Sequence, residues 1–225
     1  MNRPPSPYLA PGFYDQAIAK GRHRDIVGGR WGETGRAQMA ALLAEGMTPQ
    51  DHLLDIGCGA LRLGHLAVPY LDPGHYWGTD ASLALMQHGR AVELADPDRL
   101  PLAHLVQDAD FAFPGVPSTI TLAMAWGVFT HLPMGALQAA LQSVADRLSQ
   151  LRAFLFTVFL APDGDHAAPF RQPDGVVTHP DRAPRHLRLS DVQNLVGAVG
   201  FTLRLTPDRL PRGQRLFVAS PPQMP

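Results

Sequence analysis

The amino-acid sequence predicts an α/β domain in which a mostly parallel, seven-stranded sheet carries helices on both faces. Three observations support this expectation. Seven short apolar runs, at residues 52–56, 75–78, 104–107, 120–125, 152–160, 201–205 and 215–219, are separated through most of the chain by stretches of helical character. Several runs are apolar throughout instead of alternating, as strands covered on both faces should be. The last two are joined by only nine residues, 206–214, too few for a crossover helix and right for a hairpin, so the terminal strand should be antiparallel.

The elements follow in order. Residues 1–21 read as an arm, because Pro4, Pro5, Pro7 and Pro11 deny helical hydrogen bonds, although 13–19 would suit a short helix. Residues 33–45 have high helix propensity, place Met39, Leu42 and Leu43 on one side, and stop at Gly46. Residues 1–50 are thus an arm with a helical cap, and 51–225 the main domain. Between the fourth and fifth runs, Leu137, Leu141, Val144, Leu148 and Leu151 recur at steps of 4, 3, 4 and 3, one stripe of a helix over 134–151. Residues 161–187 form a long loop holding Asp163, Asp165, His166, Arg171, Arg182 and Arg185. It either shapes an acceptor pocket or is an ordinary solvated loop. A last helix spans 189–199, with Ser190 and Asp191 expected as its cap and Gly200 as its stop. Residues 220–225 should be frayed.

Composition excludes several classes. A chain of 225 residues is one domain by default and buries enough surface to need neither disulfides nor a structural metal. With 19 basic against 20 acidic residues and a formal charge of −1, no global field gathers nucleic acid or an anionic membrane. The single cysteine, Cys58, excludes an internal disulfide and suits a reducing compartment. No leader-like apolar run and no membrane-spanning run is present, so a cytoplasmic location is expected. Oligomeric state is not legible.

The chemistry concentrates at strand ends. The first strand runs through Asp55 into Gly57, Cys58 and Gly59 and then into a helical sequence, which brings backbone close to a ligand at the carboxyl edge of a parallel sheet. A dinucleotide fingerprint would need a third glycine where Arg62 stands, and no Gly-Lys-Ser/Thr phosphate loop exists. Asp55 beside the glycines suits a cationic ligand group better than a pyrophosphate. Asp80, 21 positions after Gly59, falls near the offset at which an acid accepts from ribose hydroxyls; capping of a helix starting near Ser82 is its other role. Asp108, with Ala109 and the apolar residues beyond it, could grip an adenine, the carboxylate accepting from the amino group. Three acids at three successive strand ends describe a nucleoside pocket.

From about residue 53 to 220 the chain resembles a class I S-adenosylmethionine-dependent methyltransferase. The family's first loop matches Asp55, Gly57, Cys58 and Gly59, its ribose acid matches Asp80, and its adenine acid matches Asp108 with Ala109 behind it. The segment Trp126-Gly127-Val128-Phe129-Thr130-His131-Leu132-Pro133 is similar to the family's segment after the fourth strand. One departure stands out: many members carry a further glycine where this chain has Leu61, with Gly64 three places later.

The resemblance implies a Rossmann-like fold, S-adenosylmethionine as cofactor and methyl transfer. His131 is then the candidate general base, because histidine changes charge near neutral pH; orienting its loop is the other reading. Trp126 walls the pocket or fills the core. Cys58 fills space and is not a nucleophile. Residues 28–33 form either a flap, with Arg30 toward the methionine carboxylate, or a helix-entry loop. No histidine pair has metal-ligand spacing, so no metal is expected. The chain lacks a basic excess, an RNA-binding module and an Asn-Pro-Pro-Tyr-like tetrapeptide. The acceptor expected by exclusion is a hydroxyl or amine of a small molecule or sugar, with neither nucleic acid nor membrane as partner. A nicotinamide-dependent oxidoreductase and a non-catalytic S-adenosylmethionine-binding protein are the alternatives.

Overall fold

The computed structural model describes residues 12–222; residues 1–11 of the segment read as an arm and residues 223–225 of the end expected to fray lie outside the described residues, while Ser220, also expected to fray, is the last residue of a strand and pairs with Thr202. Helices α1 (Phe13–Ala19), α2 (His23–Ile26) and α3 (Trp31–Ala44) lead into strand β1 (Leu53–Ile56). There follow α4 (Gly64–Tyr70), β2 (Tyr76–Asp80), α5 (Leu83–Glu93), β3 (Leu105–Gln107), β4 (Leu122–Ala125), α6 (Met134–Arg147) and β5 (Ala153–Leu160). The chain closes with β6 (Phe170–Arg171), β7 (Val177–Thr178), β8 (His186–Leu187), α7 (Leu189–Ala198), β9 (Thr202–Arg209) and β10 (Arg215–Ser220).

The sheet has the order β3-β2-β1-β4-β5-β10-β9. Strands β1 to β5 run parallel, and β10 inserts antiparallel between β5 and β9. All seven expected strands are present. The sheet is nevertheless eight-stranded, because β8 pairs parallel with the end of β5 at Phe159 and Leu160. That strand and the antiparallel β6–β7 pair fall within the stretch read as a loop; strands of two residues are too short to leave a periodic pattern.

Both faces of the sheet are covered, which explains the unalternating runs. Leu53, Met124, Leu155 and Val218 face a core completed by Leu42 of α3, Ala67 of α4 and Met86 of α5. Leu54, Ala123, Phe154 and Phe217 face the other, filled by Leu137, Leu141 and Val144 of α6 and Val192 and Val196 of α7. Neighbouring residues of one strand thus enter opposite cores, as the pleat requires. Leu42 and Met47 share a core with the sheet, so α3 is a layer of the fold as well as a cover for its edge. At α7 the expected cap is corrected: Asp191 sits in the first turn and accepts from the Arg188 backbone N–H at 3.1 Å. Chain connections leave β1 in one direction and β4 in the other, which opens a crevice at their carboxyl ends.

Candidate functional site

A cavity of about 200 Å³ occupies that crevice. Asp55, Asp80 and Asp108, from the ends of β1, β2 and β3, all line it. So do Gly57, Cys58 and Gly59 of the first loop, Ala109 after β3, and Trp126 and His131 after β4. Every residue nominated for the cofactor or as base therefore meets at one place, whereas Asp163, Asp165, His166, Arg171, Arg182 and Arg185 of the 161–187 loop do not line this cavity.

Asp55 is buried opposite Gly78 of β2, and the Tyr76 hydroxyl donates to its Oδ2 at 2.7 Å. Burial pushes its carboxyl from 3.8 up to about 7; the Tyr76 hydroxyl and the Arg62 guanidinium oppose that rise and Asp80 adds to it. A carboxyl poised there gains most from a cationic partner.

The glycines do something other than leave room for a ligand. Gly57 has φ 71° and Gly59 φ 55°, a left-handed backbone that favours glycine. A Cβ on Gly57 would lie 2.5 Å from Val128 Cγ2, and one on Gly59 2.6 Å from Val27 Cγ1. Two valines, one after β4 and one after α2, use the space. At the position of the family's third glycine, Leu61 keeps the glycine conformation at φ 64° while fully buried. Such a backbone costs a non-glycine residue about 1–2 kcal/mol. Gly64 makes the bulk tolerable, since a Cβ there would stand 2.9 Å from Leu61 Cβ and 3.1 Å from the Tyr76 hydroxyl.

Asp80 is not the cap of α5. Ser82 holds that position and accepts from the Leu85 N–H at 3.1 Å. Asp80 accepts instead from the Gly59 N–H through Oδ2 and the Ser82 N–H through Oδ1, each at 3.0 Å, tying the glycine loop to the turn after β2. Burial raises its carboxyl above the usual range against the pull of the Ser82, Gly59 and Ala81 amides. Each oxygen retains a lone pair for a hydroxyl donor. Asp108 similarly orders its own loop, accepting from the Asp110 and Ala112 amides at 3.2 Å and the Phe113 amide at 2.8 Å. Phe111, at φ 64°, joins Ala109 on the cavity wall.

Trp126 is in the core and on the wall at once. The Cys58 thiol packs 2.8 Å from where a Gly78 Cβ would be, and burial with Asp55 and Asp80 nearby pushes it well above its ordinary range, which keeps it neutral. His131 corrects an expectation. Burial first, and the Arg212 guanidinium second, push its imidazole from 6.5 down to about 4, so it stays neutral throughout the physiological range.

Several wall residues carry no sequence signal. Arg212 and Gln214 arrive from the β9–β10 hairpin, and Tyr14 and Val27 from the N-terminal segment, next to Gly28 of the 28–33 stretch read as a flap. Arg212 Nη2 donates to the Gly28 carbonyl at 2.8 Å and Arg62 Nη1 to the Val27 carbonyl at 2.6 Å, so the segment is strapped over the glycine loop from two sides. Glu93 of α5 fastens its outer end, accepting from Arg24 at 2.7 and 2.8 Å and pairing with His23 at 2.6 Å. Arg30, read as part of a flap, lines the cavity with its guanidinium 3.7 Å from Glu33. Among the described residues no group of His, Cys, Asp or Glu is placed to hold a metal ion, and no helix is long and apolar enough to cross a membrane.

No protein-family model matches the chain, and no curated protein does. Solved structures do. The chain is similar to magnesium protoporphyrin IX methyltransferase from Synechocystis PCC 6803 with bound SAH, at 16% identity and TM-score 0.63 over 93% of this chain and 98% of that one. It is similar to the glycopeptide N-methyltransferase MtfA, at 17% identity and TM-score 0.59 over 84% and 90% of the two chains. A SAM-dependent methyltransferase from Methanosarcina mazei matches at 14% identity and TM-score 0.55 over 79% and 94%. The architecture is therefore the Rossmann-like fold of S-adenosylmethionine-dependent methyltransferases.

Proposed function

We propose that this chain transfers a methyl group from S-adenosylmethionine to a hydroxyl or amine of a small molecule or sugar. The observation that carries the reading is the meeting of Asp55, Asp80 and Asp108 around one cavity at the carboxyl edge of a sheet with the methyltransferase fold. The residues fit the cofactor. Asp80 has lone pairs for the ribose hydroxyls, Asp108 with Ala109 and Phe111 offers an adenine wall, and Asp55 needs the cation that the methionine amino group would provide.

When bound, S-adenosylmethionine supplies a sulfonium methyl that is already a good electrophile. The chain's share of the work is placement: an in-line nucleophile about 3–3.5 Å from the methyl carbon. Val27 and Val128 pack against the glycine loop and help fix its path. His131 is held neutral, with an imidazole nitrogen able to accept a proton from the nucleophile. Against a nicotinamide cofactor, the position that would need the third glycine holds Arg62, whose side chain is engaged with Gln38 and the Val27 carbonyl.

The test is a thermal-shift and calorimetric panel. S-adenosylmethionine and S-adenosylhomocysteine should stabilise the protein, by about 2.7 kcal/mol at 100 times the dissociation constant, and nicotinamide dinucleotides should not. Accumulation of S-adenosylhomocysteine with an acceptor panel then separates catalysis from simple binding. Stabilisation by neither sulfur compound would refute the proposal.

A further inference from the structure

We infer that Arg212 and Gln214, carried on the β9–β10 hairpin, form an oxyanion-recognising subsite for the acceptor, which bears a carboxylate or phosphate group besides the atom that receives the methyl. The word acceptor rests on the methyl-transfer reading; the subsite rests on the following geometry.

The sheet order divides the cavity. Asp80 and Asp108 close β2 and β3 on one side of β1, whereas Arg212 and Gln214 stand at the start of β10, beyond β4 and β5 on the other. The cavity's carboxylates, Asp55, Asp80 and Asp108, all belong to β1 and the first side. Arg212 is a cation on the second.

Arg212 is held in place by its backbone and its neighbours. It has φ 68° and the following Gly213 φ 74°, two left-handed residues in succession at the hairpin turn. A Cβ on Gly213 would lie 3.2 Å from Gln172 Cβ and 3.3 Å from Asp174 Oδ1, so the turn is seated against the β6–β7 hairpin. Left-handed non-glycine residues persist where surrounding structure enforces them, and they gather at ligand sites. Of the five N–H donors of this guanidinium the Gly28 carbonyl takes one, and among the described residues no carboxylate pairs with it.

Gln214 adds an oriented donor. The Gly127 N–H donates to Thr157 Oγ1 at 2.8 Å, so the Thr157 hydroxyl proton is left to donate to Gln214 Oε1, at 2.7 Å. That chain fixes which end of the amide is oxygen. The Nε2 group, with two hydrogens to give, lies on the cavity side, 4.0 Å from where a Gly127 Cβ would stand. A guanidinium fork and a fixed amide donor on one wall are the chemistry that recognises an oxyanion. His131 is close enough to feel the Arg212 charge, so a bound anion offsets that charge and makes the imidazole more basic when the acceptor is in place.

The experiment titrates the protein, with and without saturating S-adenosylhomocysteine, with benzoate, inorganic phosphate and neutral benzamide, by calorimetry and by the imidazole carbon shift of His131. Benzoate or phosphate should bind, benzamide should not, and the bound anion should move His131 toward higher basicity. Whichever anion binds more tightly identifies the group as carboxylate or phosphate. Arg212→Gln and Gln214→Glu should each weaken that anion by at least about tenfold. Gln214→Glu leaves the Arg212 bond to Gly28 intact and guards against mere loosening of the N-terminal strap. Equal binding of benzoate and benzamide, or unchanged anion affinity in both variants, overturns the subsite. So does a tenfold loss of S-adenosylhomocysteine affinity in Gln214→Glu, which would assign the donors to the methionine carboxylate. Failure of S-adenosylhomocysteine to bind the wild type, with anion binding still dependent on both residues, refutes the methyl-transfer reading and leaves the subsite standing.

Discussion

The Tyr76 hydroxyl donates to Asp55 at 2.7 Å, a side-chain bond added to the parallel ladder between the strand that leads into the glycine loop and the strand that ends in Asp80. It holds Asp55 against the cavity without neutralising it, which makes the carboxyl a sensor for a cation.

Cofactor affinity should therefore depend on pH. With the Asp55 carboxyl at about 7, a substantial fraction is protonated at neutral pH, and a bound ammonium group favours the ionised form. Affinity for S-adenosylhomocysteine should rise between pH 6 and 8 with uptake of base, and Asp55→Asn should flatten the profile, both read by calorimetry in buffers of different ionisation heat. The stability of the ligand-free protein has the opposite sign. Between 3.8 and about 7 the folded state binds the proton that the unfolded state has lost, so the melting temperature contribution falls as pH rises through that window.

Asp80→Ala should act on affinity and stability together. It removes the acceptor for the buried Gly59 and Ser82 amides, at about 1–3 kcal/mol for each group left unsatisfied, as well as the proposed ribose contact. The expected result is a lowered melting temperature with cofactor affinity at least about tenfold weaker. An unchanged dissociation constant in a folded variant would remove Asp80 from the ribose.

His131 should show its depressed basicity in the rate profile. At saturating cofactor, turnover should stay level from pH 8 to about 5 and fall only toward about 4, where the imidazole gains a proton. His131→Gln should lower kcat more than cofactor affinity. Wild-type rates in that variant at every pH would leave the residue a loop-orienting role.

Gly59→Ala should destabilise the fold by about 1 kcal/mol or more through its left-handed backbone, and further through the clash with Val27. Val27→Ala in the same chain should recover the part owed to the clash and not the part owed to φ. A double variant no more stable than Gly59→Ala alone would show that the two residues do not compete for space.

Glu93 should govern how long the N-terminal strap stays closed. Its burial favours the neutral acid, but Arg24 and His23 outweigh this and lower its pKa, so the latch contributes stability above the ordinary carboxylate range and loses it on acidification. Glu93→Gln should speed S-adenosylhomocysteine release in a stopped-flow displacement assay while leaving the sheet's thermal transition nearly in place. An unaltered release rate would mean the strap does not gate the cavity.

The sequence exposed one half of the cavity better than the other. Asp55, Asp80 and Asp108 were legible because each stands near or just past the end of an apolar strand run, so its place at the sheet's carboxyl edge comes from local pattern alone. Arg212 was not. Its partner Gly28 is 184 positions away, and a hairpin turn has no periodicity to report which way its side chains face. Asp191 misled for a local reason: an acid near a helix start serves equally as cap or in the first turn, and only the Arg188 amide decides. The charge state of His131 depends on burial and on the Arg212 guanidinium, neither of which has a signature along the chain.

Leu61 shows that a motif can be kept in its dihedral angles while being lost in its spelling. The left-handed turn survives under a leucine because Gly64 surrenders the volume next door, so the two positions form one unit of exchange. Neither Leu61→Gly nor Gly64→Ala should be read alone: the first opens a hole in the core, the second drives a methyl against Leu61 and Tyr76, and only reciprocal replacement preserves both shape and turn. Searches for such loops that demand a glycine letter will pass over chains that honour the same geometry by trading bulk across one helical step.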